Sequence, residues 1–173
     1  MIDVLAAPGP LPEHADKLML FGQFVGSWAI EGTFLNPDGT IRSQRQGEWH
    51  FGWVLEGRAI QDVICSPPLE ERAKTGAPPY EYGTTVRAYD PKLDTWRVTY
   101  VAPVNGATIN LIARAVGDEI WLEGMSPDGK PIRWVFSDIT DDSFRWRGHE
   151  SSDQGQTWVF EEEIVGRRIA PRS

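Results

Sequence analysis

Asp90-Pro91-Lys92-Leu93-Asp94-Thr95-Trp96-Arg97-Val98-Thr99-Tyr100 carries the two signals that decide the fold. Its first five residues form a turn, where Pro presets φ and the Asp side chains accept nearby backbone N–H groups. The rest alternates: Trp96, Val98 and Tyr100 face one way, Arg97 and Thr99 the other, the period-two pattern of a strand with one buried face. The unit recurs about ten times between Gly26 and Val165, with further turns at Asn36-Pro37-Asp38-Gly39, Ser126-Pro127-Asp128-Gly129, Thr140-Asp141-Asp142-Ser143 and Asp153-Gln154-Gly155-Gln156. Short strands at this spacing, with no helical pattern between them, predict an all-β, up-and-down antiparallel meander. Ten twisted strands leave two long edges unless the sheet closes, so a barrel is expected, with a flattened barrel or a two-sheet sandwich as alternatives.

The expected strands are 27–35, 44–55, 58–65, 82–90, 95–101, 107–116, 119–125, 131–138, 143–151 and 157–165. Residues 1–13 read as a flexible Pro-rich arm and 14–173 as one domain. A short helix over His14–Phe24, with Leu18, Phe21 and Val25 at helical spacing, would plug one barrel end. Segment 66–79 differs, with four prolines and the cluster Glu70-Glu71-Arg72; it is either a lid or a surface insertion.

Alternation collects Trp28, Ile30, Phe34, Trp49, Phe51, Trp53, Leu55, Trp96, Val98, Tyr100, Ile132, Trp134, Phe136, Phe144, Trp146, Trp158 and Phe160 on one face. That face should point inward. The opposite face carries Glu31, Arg97, Arg133, Arg145, Arg147, Glu161 and Glu163, whose opposite charges can pair across strands. Eight Trp in 173 residues is well above ordinary usage, so the inner wall is either solidly filled or lines a pocket for a flat apolar molecule.

A net charge of −8 disfavours nucleic-acid and anionic-membrane partners. Residues 1–12 lack a signal peptide's basic and apolar regions, and no run is long and apolar enough for a membrane helix, which makes a cytoplasmic protein the expectation. Cys65 is the sole cysteine, which removes disulfides and cysteine clusters.

Phe24-Val25-Gly26-Ser27-Trp28, opening the first strand after a short helix, resembles the Gly-x-Trp signature of lipocalins and other calycins. Trp53-Val54-Leu55-Glu56-Gly57-Arg58, Tyr89-Asp90-Pro91 with Trp96, and Ser151-Ser152-Asp153-Gln154-Gly155-Gln156-Thr157-Trp158 extend the likeness to small bacterial lipocalin-like domains of uncharacterised function. The resemblance implies a calycin-like barrel with Trp28 across its closed end. The last motif is also similar to the Asp-box of sialidase propellers, where it is a structural hairpin, so a single copy predicts a hairpin and no sialidase activity.

For binding, the sequence nominates Trp49, Trp53, Arg58, Tyr82, Trp96, Tyr100, Trp134 and Trp146, with at least three of the indoles around a cavity of roughly 300 Å³ or more. Arg58, after the bend at Gly57, is expected to be buried on a carboxylate. Asp62 and Glu150 are the catalytic candidates, since a carboxylate in an apolar lumen has a raised pKa; Glu162, between Phe160 and Ile164, shares that face. His50 and His149 fall on the opposite face. With Glu48 and Glu150 expected to point away from them, no metal site and no cofactor are predicted. The leading function is binding of a small hydrophobic or aromatic molecule. The alternative is a cyclase, isomerase or hydratase acting on a polyketide- or terpenoid-like substrate in the same cavity, and the third is a structural or homodimerisation module.

Overall fold

The structure, a computed structural model, describes residues 5–170; residues 1–4 of the predicted arm lie outside them. A single 3-10 turn, Pro12–His14, leads into helix α1, Ala15–Gly22. Ten strands follow: β1 Gly26–Leu35, β2 Ile41–Val54, β3 Ala59–Ser66, β4 Glu81–Asp90, β5 Thr95–Ala102, β6 Ala107–Val116, β7 Glu119–Met125, β8 Pro131–Ser137, β9 Ser143–Glu150 and β10 Val159–Arg168. Each pairs antiparallel with its sequence neighbour, and β1 closes on β10 from Trp28 opposite Arg168 to Phe34 opposite Glu162. The sheet is therefore a closed up-and-down barrel, and every strand edge is paired. The strands match the sequence reading to within about three residues at their ends.

One end is sealed. Phe21 of α1 meets Trp96 edge-on at 4.9 Å and Phe136 at 6.2 Å, and Phe24 packs on Phe136 at 4.8 Å and Phe144 at 5.3 Å. The Trp53 indole lies so close over Gly22 that a Cβ there would come within 2.5 Å of it. Trp28 crosses the same end; its indole N–H donates to the Phe24 carbonyl at 2.7 Å, and Arg168 covers its ring at 4.1 Å while donating to the Val25 and Gln23 carbonyls. Such aromatic pairs add about 0.5–1.5 kcal/mol each beyond area burial.

Four residues expected on the inner face lie outside, the first three for a local backbone reason. Leu55 and Arg58 are exposed because Leu55, Glu56 and Gly57 adopt positive φ, which breaks the alternation and forms a 3-10 turn, Leu55–Gly57. Arg58 is thus not buried; its side chain is 53% exposed and pairs with Glu56. Gly57 also has to be glycine, since a Cβ would meet the Gly9 carbonyl oxygen at 2.2 Å, where residues 9–11 cross over the turn. Phe160 is outside because an extra residue between Phe160 and Glu162 shifts the register of β10 on β9, so Phe160 stacks on outward-facing His149. Trp158 is outside as well, stacked over the Arg133 guanidinium at 4.1 Å, with Trp121 on the same guanidinium at 4.2 Å.

The remaining outer face is charged as expected, with Arg145 and Arg147 on Glu163 and with Arg114 and Arg133 on Glu123. The Ser151–Trp158 hairpin is held by Asp153, which accepts from the Thr157 N–H at 2.8 Å, the Thr157 hydroxyl at 2.6 Å and the Ser151 hydroxyl at 2.8 Å. These bonds pull its carboxyl down to about 2. Segment 66–79 contains a short helix α2, Leu69–Thr75, and Arg72 from it lies over the outward ring of Tyr82 at 5.1 Å.

Phe21 is fully buried at the plug. Phe21→Ala should lower stability by about 3–5 kcal/mol in a denaturant melt, whereas Met19→Gln, on the exposed side of α1, should stay within about 0.5 kcal/mol.

Candidate functional site

Above the aromatic floor lies a buried ion pair. Asp62 on β3 and Arg87 on β4 are diagonal neighbours across the strand pair, with side chains 0% and 2% exposed. The pair is in direct contact, and the Trp49 indole N–H donates to the other Asp62 oxygen at 2.8 Å. The rings of Phe21, Phe51 and Phe136 face the Arg87 guanidinium at 5.1, 5.4 and 6.0 Å. Burial pulls the Arg87 pKa down to about 9, which leaves the guanidinium protonated at pH 7.

The pair floors a cavity of about 240 Å³ that opens at the far end of the barrel. Its wall is an arc of aromatic rings: Trp49 to Trp146 at 6.5 Å, Trp146 to Trp134 at 5.5 Å, and Trp134 to Tyr100 at 5.6 Å. Ile30, Ile64, Ile109 and Ile164 complete the apolar surface. The volume is below the 300 Å³ expected, because the ion pair and the ring floor fill the lower half of the barrel.

Polar groups gather at the mouth. The Tyr100 hydroxyl donates to Glu81, whose other oxygen accepts from Asn105 at 3.2 Å. Burial, and then the Glu81 charge, push the Tyr100 pKa up, while burial raises that of Glu81. Glu162 faces the lumen by alternation with Ile164, just after the register shift that expels Phe160, and two glycines clear its neighbourhood. A Cβ on Gly148 would meet the Glu162 side chain at 2.9 Å, and one on Gly83 would meet the Tyr100 ring at 2.8 Å. Among the described residues Glu162 has no hydrogen-bond or ion-pair partner. Burial, then Glu81 and Glu161, push its pKa up to about 7, while Arg42 and Arg45 pull it back. Arg45 stands on the rim between the rings of Phe34 at 5.0 Å and Tyr80 at 4.6 Å.

The sequence-nominated residues therefore separate into groups. Trp49, Tyr100, Trp134 and Trp146 line the cavity together. Trp53 and Trp96 are buried against α1, below it. Tyr82 and Arg58 are outside. Asp62 is closed off by Arg87, and Glu150 is bonded to Lys130 at the rim. The sequence reading named neither Arg87 nor Glu81, and counted Glu162 among the inner-face carboxylates without choosing it over Asp62 and Glu150. Arg87 was legible by alternation with Thr85 and Gly83, but none of these is apolar. Glu48 does not point away from His50: both are on the outer face of β2, with Nε2 and the carboxylate 3.3 Å apart. Residues at i and i+2 of a strand share a face.

A ten-stranded antiparallel barrel, plugged at one end and open to an aromatic cavity at the other, is the class of protein this geometry defines. No family model matches the chain, and no curated protein matches it. Among solved structures, an S-type phycobiliprotein lyase from Guillardia theta is similar with a TM-score of 0.59 and 12% identity, covering 94% of this chain and 100% of that one. A redesigned β-barrel bound to DFHBI has a TM-score of 0.43 and 14% identity, over 84% and 99% of the two chains. At 12% identity the likeness to the lyase is one of fold alone.

Two measurements test the site. Asp62→Ala should cost about 3–5 kcal/mol by stranding Arg87, and Asp62→Leu combined with Arg87→Met should recover most of it. A carboxyl with a raised folded pKa binds its proton more tightly in the folded state, so stability falls as pH rises from about 4.5 to about 7. Glu162→Gln should remove that slope, making the variant more stable than the parent by about 1–3 kcal/mol at pH 8 and equal to it at pH 4.

Proposed function

We propose that this chain binds a small, flat, largely apolar molecule in the barrel cavity. The observation that carries the reading is the arc Trp49, Trp146, Trp134 and Tyr100 around an open-ended space with few polar groups, the composition typical of small-molecule sites. The volume suits a ligand of one or two fused rings. Glu81, Tyr100 and Glu162 stand where they would orient it, and Arg45 closes the rim. The charged outer wall suits a barrel surrounded by water, since membrane barrels carry an apolar band there. The plugging helix and Trp28 across the closed end support the lipocalin-like kinship that the Gly-x-Trp start suggested.

A second reading rests on Glu162. An unpaired carboxyl that titrates near pH 7 beside an aromatic cavity is suited to proton transfer, as a cyclase, isomerase or hydratase would need. Asp62 is less suited, because Arg87 already occupies it. In that case Glu162→Gln would retain ligand binding and lose turnover.

A panel of flat aromatic compounds, read by Trp fluorescence and melting temperature, tests the first reading. Ligands should quench emission and raise the melting temperature by mass action. Trp134→Ala should weaken binding roughly tenfold, corresponding to about 1.4 kcal/mol of lost ring contact. Trp121→Ala, on the outer wall, should leave it unchanged. No quenching and no thermal shift across the panel would reject the proposal.

A further inference from the structure

The outer wall of the barrel carries a second constellation, separate from the cavity and independent of the function proposed for it. Register brings four residues together: Ser27 of β1 opposite His50 of β2, and Glu48 of β2 opposite Cys65 of β3. One donor atom from each of Glu48, His50 and Cys65 lies within 4.8 Å of the other two. We propose that Glu48, His50 and Cys65 form a binding site for a divalent cation of the zinc class.

Thiolate, imidazole and carboxylate are the ligand types that zinc takes, at about 2.0–2.3 Å from the ion. Tetrahedral geometry at those bond lengths puts donors about 3.4–3.6 Å apart. The Glu48 and His50 atoms are already at 3.3 Å, and the Cys65 sulfur lies within 4.8 Å of both, so the sulfur has the furthest to approach. All three residues sit on strand backbone inside a closed barrel, which fixes their spacing in advance.

The surroundings fit as well. His50 Nδ1 is 2.9 Å from the Ser27 hydroxyl, and an Nδ1–H donated to that oxygen leaves the Nε2 lone pair aimed at Glu48. A lone pair facing a carboxylate is repulsive unless a proton or a cation stands between them. Metal-binding histidines commonly use their second nitrogen in this way to fix the tautomer. Cys65 is buried beneath α2, with backbone hydrogen bonds from Glu48 and Leu69. Burial, and then the Glu48 charge, push the Cys65 thiol up, and the backbone N–H groups and the Arg72 guanidinium only partly offset this, so the sulfur is a protonated thiol until an ion displaces the proton. On binding, the thiol S–H proton leaves to solvent and the sulfur lone pair forms the bond to the ion, with no change of oxidation state. The side chains of His50 and Glu48 remain 39% and 23% exposed, and a groove bounded by Ser27, Arg168 and Ile169 gives an ion entry and leaves a fourth position for water.

The full chain is titrated with Co²⁺ followed by absorption, and with Zn²⁺ in competition with a chromophoric chelator. One ion should bind per chain, with the intense visible bands of four-coordinate cobalt and a thiolate-to-cobalt charge-transfer band in the near ultraviolet. Cys65→Ser should abolish the charge-transfer band. His50→Gln and Glu48→Gln, both at partly exposed positions, should each weaken uptake at least tenfold, and Ser27→Ala about tenfold. His149→Gln, elsewhere on the wall, should change nothing. Absence of uptake by the parent chain would show the cluster to be a histidine–carboxylate pair beside a buried thiol. A charge-transfer band that survives Cys65→Ser, or uptake unaffected by both His50→Gln and Glu48→Gln, would place the ion elsewhere; either result overturns the proposal. If Cys65→Ser does not fold, the His50 and Glu48 variants alone decide.

Discussion

The Asp62–Arg87 ion pair divides the barrel into two parts with different jobs. An ionic pair in an apolar interior costs several kcal/mol per ion in lost hydration, and it persists only where geometry and added contacts repay that cost. Here the repayment comes from the Trp49 indole N–H and from three aromatic rings facing the guanidinium. Those rings belong to α1, β2 and β8, so the pair ties the plug to distant parts of the wall. It also marks the depth of the cavity, whose lining reaches Thr85 and Arg87 at that level.

Above that level the interior is shaped by subtraction. Gly83 and Gly148 face inward where a side chain would collide with Tyr100 or Glu162. The register shift in β10 turns Phe160 outward and leaves Glu162, inward by alternation with Ile164, at the mouth without a ring beside it. A barrel of ten strands is wider than one that its side chains just fill, so space survives even with three indoles on the wall. The result is an apolar floor and wall with the polar groups confined to the entrance.

Charge is sorted by the wall. Outside, arginines pair with Glu123, Glu163 and Asp138 or stack on Trp121 and Trp158, in a solvent that screens them and leaves each pair worth little. Inside, the same residue types are few and strongly perturbed, because burial penalises the charged form. Glu162, with no cation bonded to it, is perturbed upward to about 7, whereas Arg87, bonded to Asp62, remains charged.

Period-two alternation and turn chemistry determined the ten strands, their antiparallel order and the side of the wall on which Trp49, Trp134, Trp146 and Tyr100 lie, and the helical spacing of Leu18, Phe21 and Val25 determined the plugging helix. These are local properties, written in residues next to one another. The sequence could not separate Trp53 and Trp96 from the cavity-lining indoles, because depth along the barrel depends on where α1 docks. It could not place Arg58, whose side is set by positive φ at Leu55 and Glu56 rather than by alternation. It missed the pairing of Asp62 with Arg87 and the place of Cys65 opposite Glu48, because contacts across strands depend on register; the Glu48–His50 contact, at i and i+2 of one strand, was legible and was misread. Only the closed tertiary structure fixes that register, since closure makes the pairing of every strand conditional on all the others.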